Sequence, residues 1–317
     1  MNPSIGIVIP AYNACRFLAP TLDAILAQSV ADWECVVVDD GSGDNTAALI
    51  ADYMARDPRI RMVQKPNGGV SSARNRGFAE LSASVKYVTF MDQDDVWLPD
   101  ALEALWTELE RRPDVIGVHG LADMIDAEGT PIEPGGFAAY QRVRMGYDGK
   151  QMVALPPDAP SDFASLVFCG RIYPPGVILT RREAHTQVGP WDATFSQVQD
   201  WDMCIRLSRL GPFHYLDKIL VLYRRHERNG SNDNVRNLQE TRRLYHKTFF
   251  AAENTEEHRR ILRGEWKAWN VYRMREKWQW AKSAFREGKI LHSALMLSYL
   301  PLHGYRYLRG YPTPRGI

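Results

Sequence analysis

KYVTFMDQDDVWLPD, residues 86–100, changes character three times. Lys86 to Met91 is a short apolar run rich in β-branched and aromatic residues, which reads as a buried strand. Asp92, Gln93, Asp94 and Asp95 then place three carboxylates in four positions. Pro99 suits the first turn of a helix, continued by Leu102, Leu105, Trp106 and Leu109 at helical spacing. Strand, acidic loop and helix in that order make one unit of an α/β sheet.

The same unit recurs on either side. Strands are expected at Ile5–Pro10, Trp33–Asp39, Ile60–Gln64 and Val115–His119. Helical spacing joins Phe17, Leu18, Leu22, Ile25 and Leu26, then Ala47, Ile50, Ala51 and Met54 behind an Asp44 cap, and a third helix starts at Ser71 or Ser72. Such alternation implies a mainly parallel sheet with helices on both faces, whose ligands bind beyond the carboxyl ends of the strands. The polar clusters Pro10-Ala11-Tyr12-Asn13, Asp39-Asp40-Gly41-Ser42 and Asp92–Asp95 all fall at those ends. From Asp123 to about Pro160 the pattern dissolves into an excursion over the active face, a candidate for acceptor recognition. Order returns at Pro174–Leu179, in a helix near Asp200–Arg209, in strand-like text from Phe213 to Tyr223, and in helical text from Asn234 to about Leu300.

Three adjacent carboxylates repel one another unless a cation compensates. Oxygen ligands on a loop suit Mg²⁺ or Mn²⁺, which also take oxygens from a diphosphate; a solvated acidic turn is the alternative. A carboxylate at the end of the second strand can accept from an imide N–H such as uracil's, or can close an Asx-type turn. In NGGVSSARNRGF, Asn67–Phe78, the glycines allow close backbone approach, and Arg74 and Arg76 bring positive charge near a helix N-terminus. This is neither a G-x-G-x-x-G turn nor a G-x-x-x-x-G-K-[ST] loop.

The set IVIPAYN, VVVDDGSGDNT, NGGVSSARNRG, FMDQDDVWLPD and VQDWDMCIRL, in this order over roughly residues 4–230, resembles the family 2 glycosyltransferases of the GT-A fold. The resemblance implies a metal-dependent, inverting transfer of sugar from a nucleoside-diphosphate sugar, UDP being the expected carrier, to a saccharide or lipid-linked acceptor. It implies nucleotide-sugar contacts from Pro10, Ala11, Tyr12, Asp39, Asp40, Gly68, Arg74, Asp92 and Gln93. Asp94, Asp95 and His226 become the expected ligands of Mn²⁺ or Mg²⁺. Asp200 becomes the catalytic base, although the family usually writes Glu where Gln199 stands. Arg224, Arg225 and Arg228 of the closing segment could meet phosphate once that loop closes, with solvation at the surface the alternative. Two other functions compete: a non-catalytic nucleotide-sugar or glycan-binding protein on the same fold, and a nucleotidyltransferase, whose usual Gly-rich basic N-terminal loop is replaced here by Pro10–Asn13.

The 317 residues carry a net charge of only +1, unevenly spread. Arg236–Ile317 holds 17 Lys and Arg against 7 Asp and Glu, with 13 aromatic residues among them. The expected organisation is a catalytic domain over 1–234, with a nucleotide-sugar half to 120 and an acceptor half beyond, followed by a basic aromatic helical extension over 235–317. The extension suits packing on the body, peripheral contact with an anionic membrane, or a homodimer through its helices. No groove-reading motif accompanies it, so nucleic acid is not an expected partner. Neither a leader-like start nor a run of about 20 apolar residues is present. The four cysteines read as reduced core thiols, giving a cytoplasmic expectation with peripheral attachment to the inner face of the membrane.

Overall fold

The computed structural model describes residues 3–227, 229 and 233–309. The first half runs β1 (Ile5–Ala11), α1 (Leu18–Leu26), β2 (Trp33–Asp39), α2 (Thr46–Arg56), β3 (Ile60–Gln64), α3 (Val70–Ala79), β4 (Tyr87–Phe90), β5 (Val96–Trp97), α4 (Ala101–Arg111) and β6 (Gly117–Ile125). Then come β7 (Pro131–Ile132), α5 (Gly136–Arg142), β8 (Met145–Tyr147), β9 (Met152–Ala154), α6 (Phe163–Phe168), β10 (Ile178–Arg181), α7 (Arg182–Val188), α8 (Gln199–Ser208) and β11 (Phe213–Arg224). Helices α9 (Asn234–Phe249), α10 (Glu256–Arg286), α11 (Ile290–Ser298) and α12 (Leu300–Arg309) finish the chain.

One nine-stranded sheet has the order β3-β2-β1-β4-β10-β6-β11-β5, with β7 added beside β6. Strands β1 to β4 are parallel, as the sequence predicts, and β10 enters antiparallel between β4 and β6. Every residue of β1 and β2 is buried, because both faces of the sheet are covered, so these strands read as continuous rather than alternating apolar runs. The chain moves one way from β1 to β2 and β3, and the other way to β4. That reversal opens a crevice at the carboxyl ends of β1 and β4, where the polar clusters lie. Close packing of α3 on the sheet depends on Gly77, whose Cβ would stand 2.4 Å from Val8 Cγ1.

The excursion after Asp123 is more ordered than the sequence pattern implied: it contains α5 and the β8–β9 hairpin. These are three-to-seven-residue elements, too short to show a period. The helical text after Asn234 extends to Arg309. A second apolar core joins α6 and α8 to α9 and α10 through Phe168, Ile205, Tyr245, Phe249, Trp266 and Trp269. Half of the tail's aromatic character is thereby used for packing. Cys35, Cys169 and Cys204 are buried thiols as expected, but Cys15 is exposed. No helix of the described residues is long and apolar enough to cross a membrane.

Candidate active site

The loop after β1 is stapled to the loop after β4: Tyr12 N donates to Gln93 Oε1 at 2.7 Å. It is stapled to the loop after β2 as well, since Asn13 N donates to Ser42 Oγ (3.0 Å) and Gly43 N to Asn13 Oδ1 (2.8 Å). The Tyr12 ring is left 48% exposed at the edge of the cleft, available to stack on a base.

Asp39 and Asp40 separate in role. Asp40 lines the cleft, and its carboxylate accepts from Gly69 N (2.7 Å), Gly68 N (3.0 Å) and Lys65 Nζ (2.5 Å). Gly69 has φ +83°, a backbone state that L side chains rarely adopt and that glycine tolerates. Gly68 thus serves the site through Asp40 and does not face the cleft. Asp39 corrects the sequence expectation: it is buried, does not line the cleft, and closes the turn by accepting from Ser42 N at 3.0 Å and Gln64 Nε2 at 3.2 Å.

Arg74 is the centre of the arrangement. It has no exposed surface, yet its guanidinium donates to Asp200 Oδ1 at 2.6 Å and to Asp92 Oδ1 at 2.7 Å, with the Trp191 ring 4.5 Å away. A buried charge needs partners of this kind. Burial alone would lower its pKa, but Asp200 and Asp92 outweigh burial and hold it above the ordinary value. Asp92 keeps 28% of its side-chain surface, facing the cleft. Enclosure by the cleft walls is the largest influence on its carboxyl; Arg74 opposes it, Asp200 and Asp94 add to it, and the result is a pKa of about 6. Asp200 and Gln199 open α8, and Gln199 Oε1 is buried at the cleft wall without a hydrogen-bond partner. Arg76, by contrast, points outward and pairs with Glu80 at 2.7 Å.

Asp94 and Asp95 also part. Asp94 Oδ2 lies 2.8 Å from His226 Nε2, and the His226 ring stacks on Phe17 with centroids 4.4 Å apart. Both Asp94 and His226 line the cleft. Asp95 is a correction: it is fully buried, and Arg224 N donates to its Oδ1 at 3.0 Å. Burial, then Asp94 and Asp92, push its carboxyl well above the ordinary range. Facing the core and absent from the cleft lining, Asp95 does not reach the place where Asp94 and His226 meet. Arg224 is likewise withdrawn from phosphate: it is buried, and its guanidinium donates to the carbonyls of Asp94, Asp126 and Ala127. Arg225 lines the cleft, and Arg228 lies outside the described residues.

Among the described residues no three His, Cys, Asp or Glu side chains converge into a complete metal cage. The Asp94–His226 pair nonetheless fits Mg²⁺ or Mn²⁺, which bind through few protein ligands and complete their shells with water and substrate phosphate. All these groups share one cleft of about 1180 Å³ with Pro10, Ala11 and Asp40. That exceeds the roughly 300–1,000 Å³ usual for a single small ligand, leaving room for two substrates. The cleft also runs past Tyr173 and Trp201 to α10 and α12, where Arg171, Arg273, Lys277 and Arg306 line its far end. Those residues have no sequence motif.

Residues 6–157 match the family model described as glycosyl transferase family 2. The chondroitin synthase of Escherichia coli is 28% identical over 224 residues, covering 68% of this chain; the chain spans 28% of that synthase's length. Among solved structures, S. aureus TarS 1–349 in complex with UDP-GlcNAc superposes with a TM-score of 0.62 at 14% identity, over 94% of this chain and 92% of that one. The mannosyltransferase PcManGT from Pyrobaculum calidifontis, in complex with GDP-Man and Mn²⁺, gives 0.64 at 17% identity, over 96% and 85%. At such identities the structural likeness establishes the GT-A fold.

Proposed function

The chain belongs to the family 2 glycosyltransferases, and on that premise we propose that it moves a sugar from a nucleoside-diphosphate sugar to a saccharide or lipid-linked acceptor hydroxyl, inverting the anomeric centre. The observation that carries this reading is Arg74, which holds Asp92 and Asp200 in one cleft with the Asp94–His226 pair. UDP is the proposed carrier, in keeping with the UDP-GlcNAc complex of TarS; the GDP-Man complex of PcManGT makes GDP the comparison to run.

In this reading the Tyr12 ring covers the base, and the Gln93 staple fixes the loop that carries Tyr12. Asp94 and His226 would hold Mn²⁺ or Mg²⁺, which supplies charge neutralisation on the departing diphosphate. Asp200 takes the proton of the acceptor hydroxyl as that oxygen attacks the anomeric carbon. Among the described residues Arg74 is the only side chain that donates to Asp200, so Arg74 sets the direction in which the carboxylate faces the acceptor. Asp92 shares that guanidinium and keeps its exposed edge towards the donor.

We read 1–234 as the catalytic body and 235–317 as an extension joined to it by the second core. Exposed Phe285, Ile290, Leu291 and Leu295 stand among exposed Lys282, Arg286 and Lys289, a mixture that suits the anionic inner face of a membrane. Flotation with anionic vesicles tests that placement, and a concentration-dependent doubling of mass without flotation would favour a dimer instead.

The function itself is tested by incubating the enzyme with UDP- and GDP-sugars, Mn²⁺ and a panel of saccharide acceptors. Release of nucleoside diphosphate with an inverted glycosidic product is the expected result. Release of pyrophosphate would indicate nucleotidyl transfer, and donor binding without turnover would indicate a binding protein.

A further inference from the structure

The far end of the cleft gathers cations from three separate elements. Arg171 follows α6, Arg273 and Lys277 stand one helical turn apart on α10, and Arg306 lies on α12. Among the described residues Glu276 is the only carboxylate that pairs with any of them, accepting from Arg273 and lying 3.8 Å from Arg171. Arg171 is further committed to the carbonyls of Tyr140 and Val143. Lys277 is only 8% exposed, yet among the described residues its ammonium meets no oxygen: its neighbours are Met296 Sδ at 3.8 Å, the Trp280 ring at 4.3 Å and the Tyr299 ring at 5.2 Å. Among the described residues Arg306 pairs with no carboxylate.

Enclosed cations without counter-charge oppose folding, so a protein keeps such a group where a ligand compensates it. Burial and then Arg273 pull Lys277 down to about 8, and burial followed by Arg242 lowers Arg306. Glu276 does not line the cleft, whereas the four cations do. Tyr299 lines the same end beside Lys277, and Trp269 backs it from the second apolar core. The donor's diphosphate is already assigned to the rim at Asp94 and His226, so the second anion must come from the other substrate.

We propose that this end of the cleft is an acceptor subsite for an oxyanion, a carboxylate or phosphate carried by the acceptor saccharide. The inference rests on the transferase reading above and adds the acceptor's chemical class to it. An arginine pair takes either oxyanion through charge-assisted hydrogen bonds, and Lys277 adds a point charge.

Calorimetry on the full chain tests this without donor, using three probes of matched length: a uronate-containing tetrasaccharide, its carboxyl-reduced neutral counterpart, and a tetrasaccharide bearing a phosphomonoester. At least one acidic probe is expected to bind about tenfold or more tighter than the neutral one, and which acidic probe binds tells uronate from phosphate. In Lys277→Gln and Arg306→Gln that advantage is expected to shrink to about threefold or less, with nucleotide-sugar affinity unchanged. Arg306→Lys is expected to retain most of it. Equal affinity of the acidic and neutral probes for the unmodified enzyme, or no binding of either acidic probe, overturns the inference whatever the variants do. Donor binding is measured on the same samples. A failure of the transferase reading would show as absent donor binding, and a failure of this inference as intact donor binding with charge-blind acceptor binding.

Discussion

The two ends of the cleft carry opposite charge and are stabilised in opposite ways. At the rim, Arg74 donates to both Asp92 and Asp200, and Asp94 meets the His226 ring nitrogen. At the far end, Glu276 pairs with Arg273 and lies 3.8 Å from Arg171, whereas among the described residues Lys277 and Arg306 pair with no carboxylate. The rim carboxylates are therefore tied together within the fold by Arg74, whereas the far end carries an excess of positive charge. A preorganised rim suits the bond-making step, and an unsatisfied far end suits selection of a partner.

The largest effect should come from the rim. Asp200→Asn is expected to lower transfer by roughly 10²–10⁴-fold, the usual contribution of a positioned general base, with donor affinity nearly intact. Steady-state release of nucleoside diphosphate and donor calorimetry measure the two, and turnover close to that of the unmodified enzyme would remove Asp200 as base. Arg74→Met tests whether the rim is balanced from within. It leaves two enclosed carboxylates facing each other, so a loss of about 3–5 kcal/mol is expected in urea unfolding. A loss under about 1 kcal/mol would show that solvent rather than Arg74 supports Asp92 and Asp200.

These rim residues were legible in the sequence because strand topology gathers short contiguous motifs at one edge. Asp40, Arg74, Asp92, Asp94, Asp200 and His226 all line the cleft. Asp39 and Asp95 were misplaced because neighbouring positions at a strand end point to opposite sides, and adjacency in sequence hides that alternation. Arg224 was misplaced because an arginine that ties loop carbonyls together looks the same in sequence as one that binds phosphate. The far end was illegible: Arg171, Arg273 and Arg306 are brought together only by the docking of α10 and α12, and no local spacing records it. Trp191 on Arg74 and Phe17 on His226 were missed for the same reason.

The helical extension holds a group that sharpens the comparison further. Glu265 on α10 is 2% exposed, and its Oε2 lacks a partner. Burial, with Asp162 second, pushes it up from 4.5 to about 8. The folded state then keeps a proton that the unfolded chain releases above its ordinary pKa, so this contribution is complete below about pH 4.5 and is lost as pH rises towards 8. Glu265→Gln is expected to flatten that slope and to add about 2–4 kcal/mol at pH 8. Denaturant unfolding at pH 5 and pH 8 reads the difference, and an unchanged slope would contradict it.

Gly170 forms the seam between the two ends. A Cβ there would stand 2.5 Å from the indole of Trp201, which donates to Leu166 O at 2.6 Å and follows directly on Asp200. Gly170→Ala is expected to cost about 1–3 kcal/mol and to raise the acceptor KM more than the donor KM. Equal changes in both would mean that the seam does not align the acceptor.

The central claim is that the rim carboxylates are arranged for a divalent cation and a diphosphate. Calorimetric titration of UDP-sugar into the enzyme, with and without Mn²⁺ and repeated with Asp94→Asn, tests it most directly. The account predicts that Mn²⁺ tightens donor binding by at least about tenfold and that Asp94→Asn abolishes this gain while leaving metal-free binding in place. Donor affinity indifferent to Mn²⁺, or a full Mn²⁺ gain in Asp94→Asn, would contradict it.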